Sequence, residues 1–148
     1  MLSRRHFLVA TAGMVLARRR LFAAAPAPVV TVYKDPGCEC CVRWIKHLSA
    51  SGFVVNVQDS TKMDDIKKTM HVPDALQSCH TAVVGRYVIE GHVPADLIKK
   101  LLAEKPTSLG LAVPGMVTGS PGMEGANPQH YDVLLFERDG KSRVYAKR

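Results

Sequence analysis

Three thiols in four residues, Cys38-Glu39-Cys40-Cys41, stand where a short β-branched run ends and helical spacing begins. Upstream, Val29-Val30-Thr31-Val32-Tyr33 reads as a strand, and Asp35-Pro36-Gly37 supplies the turn that ends it. Downstream, Cys41, Trp44, Ile45 and Leu48 recur at helical spacing, and Gly52 is the stop. The cysteines are thus expected at a helix N-terminus. Unpaired backbone N–H groups and the positive end of the helix dipole favour thiolate there, so pKa values below the ~8.5 of a free cysteine are expected. Cys38 and Cys41 also have the C-x-x-C spacing of a redox pair. A purely structural disulfide between them is the plainer alternative.

The rest of the chain extends this strand–turn–helix start. Phe53 to Val57 reads as a second strand, and Asp59-Ser60-Thr61 offers capping oxygens to a helix carrying Met63, Ile66 and Met70 that closes near Pro73. Thr81 to Val84 and Tyr87 to Glu90 flank Gly85-Arg86 as a hairpin, and Pro94 opens a helix whose apolar face is Leu97, Ile98, Leu101 and Leu102. This β-α-β-α-β-β-α order, with the cysteine motif, predicts a thioredoxin-like α/β core. Tyr131 to Phe136 and Arg143 to Ala146 flank Asp139-Gly140, which predicts an added C-terminal hairpin. Between core and hairpin, Thr107 to His130 is rich in Gly and Pro, lacks periodicity, and is expected to be one long loop. It holds Pro114-Gly115-Met116 and Pro121-Gly122-Met123.

With 148 residues, one domain is expected, spanning 28–148 behind a targeting peptide at 1–27. That leader has a basic start, an apolar stretch from Phe7 to Ala17 and a small-residue end at Ala23-Ala24-Ala25-Pro26-Ala27. Ser3-Arg4-Arg5-His6-Phe7-Leu8 resembles the twin-arginine export signal, so the domain is expected to work in a bacterial periplasm. Of the net charge of +7, Arg4, Arg5, Arg18, Arg19 and Arg20 supply five. The remainder is scattered among acids with no aromatic interleaving, which argues against nucleic acid as a partner. No apolar run approaches the ~18 residues of a membrane-spanning helix.

The fourth cysteine lies in Ser78-Cys79-His80-Thr81, just ahead of the predicted hairpin. In a thioredoxin-like fold this loop faces the C-x-x-C, so Cys79 is expected beside Cys38, Cys40 and Cys41. Four thiols with His80 make a soft donor set, which selects Cu(I) and Zn(II) over Mg or Ca. Met116 and Met123, both at turns, tilt the choice towards Cu(I), because a thioether binds it better than zinc. Zinc held tetrahedrally by three Cys and His80 is the alternative. Met63 and Met70 are expected in the core, His47 in solvent on the first helix, and His92 as a helix cap. No phosphate-cradling glycine loop, G-x-S-x-G elbow or H-E-x-x-H helix occurs.

Six motifs in fixed order carry a family resemblance. They are Cys38-Glu39-Cys40-Cys41 with Trp44, Ser78-Cys79-His80-Thr81-Ala82, Tyr87 to Ala95, Gly110 to Met116, Gly119 to Glu124 and Tyr131 to Phe136. Together they resemble the CopG-like periplasmic proteins, a domain family of unknown function associated with copper resistance. The resemblance implies a thioredoxin-like fold and copper held by Cys38, Cys40, Cys41 and Cys79. Copper ions, with a periplasmic copper chaperone or efflux component, are the expected partners. Where many relatives have a small residue this chain has Glu39, whose charge would raise neighbouring thiol pKa values. Two functions follow as expectations: copper binding for resistance or handling, and thiol-disulfide or copper oxidoreduction in which Cys38 attacks and Cys41 resolves.

Overall fold

The β-branched run from Val29 to Val32 makes a strand whose inward positions, Val30 and Val32, are fully buried. A computed structural model describes residues 26–148, so the expected leader falls outside the described residues except for its last two positions. The elements are β1 (Val29–Lys34), α1 (Glu39–Ala50), β2 (Val54–Asp59), α2 (Met63–Thr69), a single 3-10 turn (Asp74–Leu76), β3 (His80–Val84), β4 (Tyr87–Glu90), α3 (Ala95–Glu104), β5 (Gly110–Ala112), β6 (Asp132–Phe136) and β7 (Ser142–Lys147). Among the described residues the fold is mixed α/β: three helices and one seven-stranded sheet in the order β2-β1-β3-β4-β5-β6-β7. β1 runs parallel to β2 and antiparallel to β3, so the starts of α1 and β3 meet at one end of the sheet. Lys34, the last residue of β1, is in register with His80, the first of β3.

The core lies between the sheet and its helices. Trp44 and Leu48 of α1 and Ile98 and Leu101 of α3 are fully buried against Val32, Ile89 and Leu111. Among the described residues no helix is long and apolar enough to cross a membrane.

Three expectations need correction. The 107–130 stretch is not all loop, because Gly110–Ala112 forms β5 between β4 and β6. A three-residue strand leaves no period to read, and its pairing supplies what propensity lacks. Gly110 is required there, since a Cβ would stand 1.6 Å from the Val88 carbonyl oxygen on β4. Met63 and Met70 are only half-buried, with Met70 at the edge of a second cluster around Phe136; the one fully buried side chain of α2 is Lys67. His47 is half-buried rather than in solvent, and its Nε2 accepts the Ala95 N–H at 3.1 Å.

Candidate metal centre

The turn after β1 is closed by two local bonds. Asp35 Oδ1 accepts the Gly37 N–H at 2.8 Å, and the Asp35 carbonyl accepts the Cys38 N–H at 3.0 Å. Cys38 is then the N-cap residue of α1, in extended conformation, with Cys40 and Cys41 in the first turn. The second half of the site arrives from β3. Cys79 precedes the strand and His80 begins it, so both emerge beside the entrance to α1.

These elements bring all four sulfurs together. Cys38 Sγ lies 3.5 Å from Cys40 Sγ, and Cys79 Sγ lies 3.7 Å from Cys40 Sγ and 3.6 Å from Cys41 Sγ. The four sulfurs form a group within 4.8 Å of one another. Cys38 and Cys41 are joined as a disulfide, and Cys40 and Cys79 are free thiols. The expected set of four thiolates therefore belongs to the reduced chain.

Cys79 also belongs to a second group, with His80 and His92. Its Sγ is 3.2 Å from His80 Nδ1 and 3.1 Å from His92 Nε2. His92 is therefore not merely a helix cap, and reading it only as a neighbour of Pro94 missed it. Its Nδ1 faces the Pro121 carbonyl at 2.8 Å, and a carbonyl can only accept. In neutral His92 that nitrogen carries the proton, leaving Nε2 bare towards the sulfur. Burial pushes the Cys79 thiol up to about 12, with the neighbouring Cys40 adding to the effect. Cys79, ahead of β3 rather than at a helix N-terminus, thus stays protonated and donates S–H to His92 Nε2. His80 Nδ1 then donates to the sulfur. His80 Nε2 is left buried without a partner.

Burial holds both imidazoles neutral, His80 well below the ordinary value of 6.5 and His92 also below it. Below about pH 6.5 the unfolded chain binds protons that the folded state resists, so stability falls with pH by up to ~1.4 kcal/mol per unit for each histidine. Glu90, raised by burial, acts in the opposite sense further down the scale. Urea melts of the metal-free protein should show a falling midpoint from pH 7.5 to 5.5, a loss that His80→Gln reduces. A flat profile would contradict neutral buried imidazoles.

A strap from the 107–130 segment covers this corner. Gly122 lies so close to α1 that a Cβ would stand 2.7 Å from the Trp44 nitrogen, and its carbonyl accepts Arg43 Nε–H at 2.9 Å. Met123, the next residue, is half-buried. Met116 is 55% exposed, on a turn whose Gly115 carbonyl accepts the Ser78 hydroxyl.

The donor set suits a soft metal: free or reducible sulfurs, with His80 Nδ1 and His92 Nε2 beside the Cys79 sulfur. Fold and site together define a mixed α/β protein with a candidate soft-metal centre. The chain belongs to the family of copper resistance protein CopG. A solved structure described as "Copper resistance protein copG- Form 1" shares 42% identity over 84% of this chain and 98% of its own, with a TM-score of 0.78. A second, "Copper resistance protein copG- Form 2", shares 40% identity over 82% of this chain and 98% of its own, with a TM-score of 0.77. Residues 76–123 match the model of a family described as "Protein of unknown function, DUF411". No curated protein matches the chain.

Proposed function

We propose that this chain handles copper in the periplasm, holding Cu(I) through Cys38, Cys40, Cys41 and Cys79, with His80 and His92 on the inner side and Met116 and Met123 at the rim. The observation that carries the reading is the position of Cys79. Its sulfur is shared between the cysteine group and the histidine pair. A thiolate so placed can bridge ions, which is characteristic of Cu(I)–thiolate chemistry. The exposed thioether of Met116 offers a weaker soft ligand at which copper could be exchanged with a chaperone or efflux component. Residues 1–27 would act as the twin-arginine-type leader that exports the domain. The strand order β2-β1-β3-β4, with β3 antiparallel to both its neighbours, supports a thioredoxin-like core.

In the oxidised chain only Cys40 and Cys79 remain as thiols, so copper capacity depends on reduction. Anaerobic titration with Cu(I), followed by native mass spectrometry, tests this. The reduced protein should bind at least one copper per chain and the disulfide form fewer. Reduced protein that binds less than one copper per chain would overturn the reading. Loading must also displace the Cys79 proton, so affinity should rise with pH.

A second reading is favoured by the disulfide itself. Cys38 and Cys41 could cycle between dithiol and disulfide, losing two electrons and two protons while two Cu(II) ions, or a partner disulfide, take up the electrons. A measured reduction potential and turnover with a disulfide or with Cu(II) distinguish the two. An inert disulfide removes the second. Zinc is the remaining alternative, with three cysteines and His80 as its ligands. Direct competition between Zn(II) and Cu(I) decides it.

A further inference from the structure

We propose that Glu90, together with Lys67, is a positioning residue that fixes the Cys79–His80 half of the metal nest. The proposal rests on the copper reading of that nest, but not on any contact with a metal. Glu90 and Lys67 are buried in a corner where an apolar pair would be expected, at 0% and 4% exposure. Lys67 is the only buried residue of α2, on the position that anchors the helix to the sheet. Its ammonium meets Glu90 Oε1 at 2.5 Å and Thr81 Oγ1 at 3.0 Å.

The other bonds of the carboxylate show what this pair accomplishes. Glu90 Oε1 accepts the Ser78 N–H at 2.7 Å, and Oε2 accepts the Thr81 hydroxyl at 2.6 Å. One carboxylate therefore grips the residue before Cys79 and the residue after His80. The Gly91 N–H closes the same dipeptide from the backbone side by donating to the His80 carbonyl at 3.0 Å. β4 pairs with β3 through Thr81 and Glu90, so the grip is tied to the sheet rather than to a loop. Without it, Ser78 and Cys79 precede β3 with no ladder of their own.

A buried ion pair adds little net stability over apolar residues of similar size, because desolvation offsets the attraction. Stability alone therefore does not explain its presence. Geometry does: outer groups that orient ligands commonly change metal affinity by about 10–100-fold.

The test uses the reduced full chain and two double variants. Glu90→Leu/Lys67→Met removes both charges and the acceptor for Ser78. Glu90→Gln/Lys67→Met removes the charges but keeps an oxygen at that reach. Iodoacetamide labelling of the metal-free protein, quantified at each cysteine by peptide mass spectrometry, reads the position of Cys79 without copper. Labelling of Cys79 is expected to speed up about tenfold in the Leu/Met variant with Cys40 unchanged, and Cu(I) affinity to fall at least tenfold. The Gln/Met variant should return both values to within about threefold of the starting protein. Ile98→Val, which loosens the core beneath α3, should move neither. A folded Leu/Met variant with unchanged Cys79 labelling overturns the proposal, as does a Gln/Met variant as altered as Leu/Met. If the starting protein binds no copper, the copper reading fails while the labelling still decides the role of Glu90.

Discussion

Cys79→Ser is expected to cost the reduced chain about a hundredfold or more in Cu(I) affinity, beyond the 10–100-fold that loss of an outer partner brings. The effect is large because this sulfur serves two groups at once. It stands within 3.7 Å of two other sulfurs and within 3.2 Å of two imidazole nitrogens. Serine keeps the size and the hydrogen-bonding role towards His80 and His92, so the fold should survive while a soft ligand becomes a hard one. An anaerobic competition against a chromogenic Cu(I) chelator measures the loss. Unchanged affinity would remove Cys79 from the site and break the link between α1 and β3.

The second large effect is on stability. Trp44→Ala should lower the unfolding free energy by about 3–5 kcal/mol, the usual cost of truncating a buried aromatic. Trp44 is fully buried, its Nε1–H donates to the Val93 carbonyl at 2.9 Å, and its ring lies 4.3 Å from the ring of His80. Truncation therefore empties the core, orphans a carbonyl and removes the wall against which His80 is held. Trp44→Phe, which keeps a ring but no N–H, should fall between. Trp44 is the only tryptophan, so the melts should be followed by far-ultraviolet circular dichroism. A loss under ~1 kcal/mol for the alanine variant would contradict the packing role.

Most of the fold was legible because its periods are strong. α1 shows Cys41, Trp44 and Leu48 on one buried face, α3 shows Leu97, Ile98 and Leu101, and the two hairpins carry glycine turns. β5 was not legible, since three residues show no alternation and sheet pairing alone makes them a strand. At the site, the cysteines could be read because a thiol at a helix entrance is chemically conspicuous. His80 could be read beside Cys79, but the third member of the second group could not. His92 is separated from Cys79 by a hairpin, and only the β3–β4 pairing and the Pro121 carbonyl turn its bare nitrogen to the sulfur. Glu90 was hidden for the same reason. In the sequence it is one acid at the end of a strand, and its partner Lys67 lies on a helix whose other residues face outward or lie half-buried. Buried charges acquire meaning from what surrounds them, which single-sequence periodicity does not contain.

The central claim is that sulfurs from α1 and from the entrance of β3 grip one soft metal centre, with imidazole on its inner side. Copper-edge X-ray absorption of the reduced protein loaded with Cu(I) tests it most directly. The account predicts a first shell dominated by sulfur with a smaller nitrogen contribution that shrinks in His92→Ala. A shell of nitrogen and oxygen alone, or one that Cys79→Ser leaves unchanged, would contradict it.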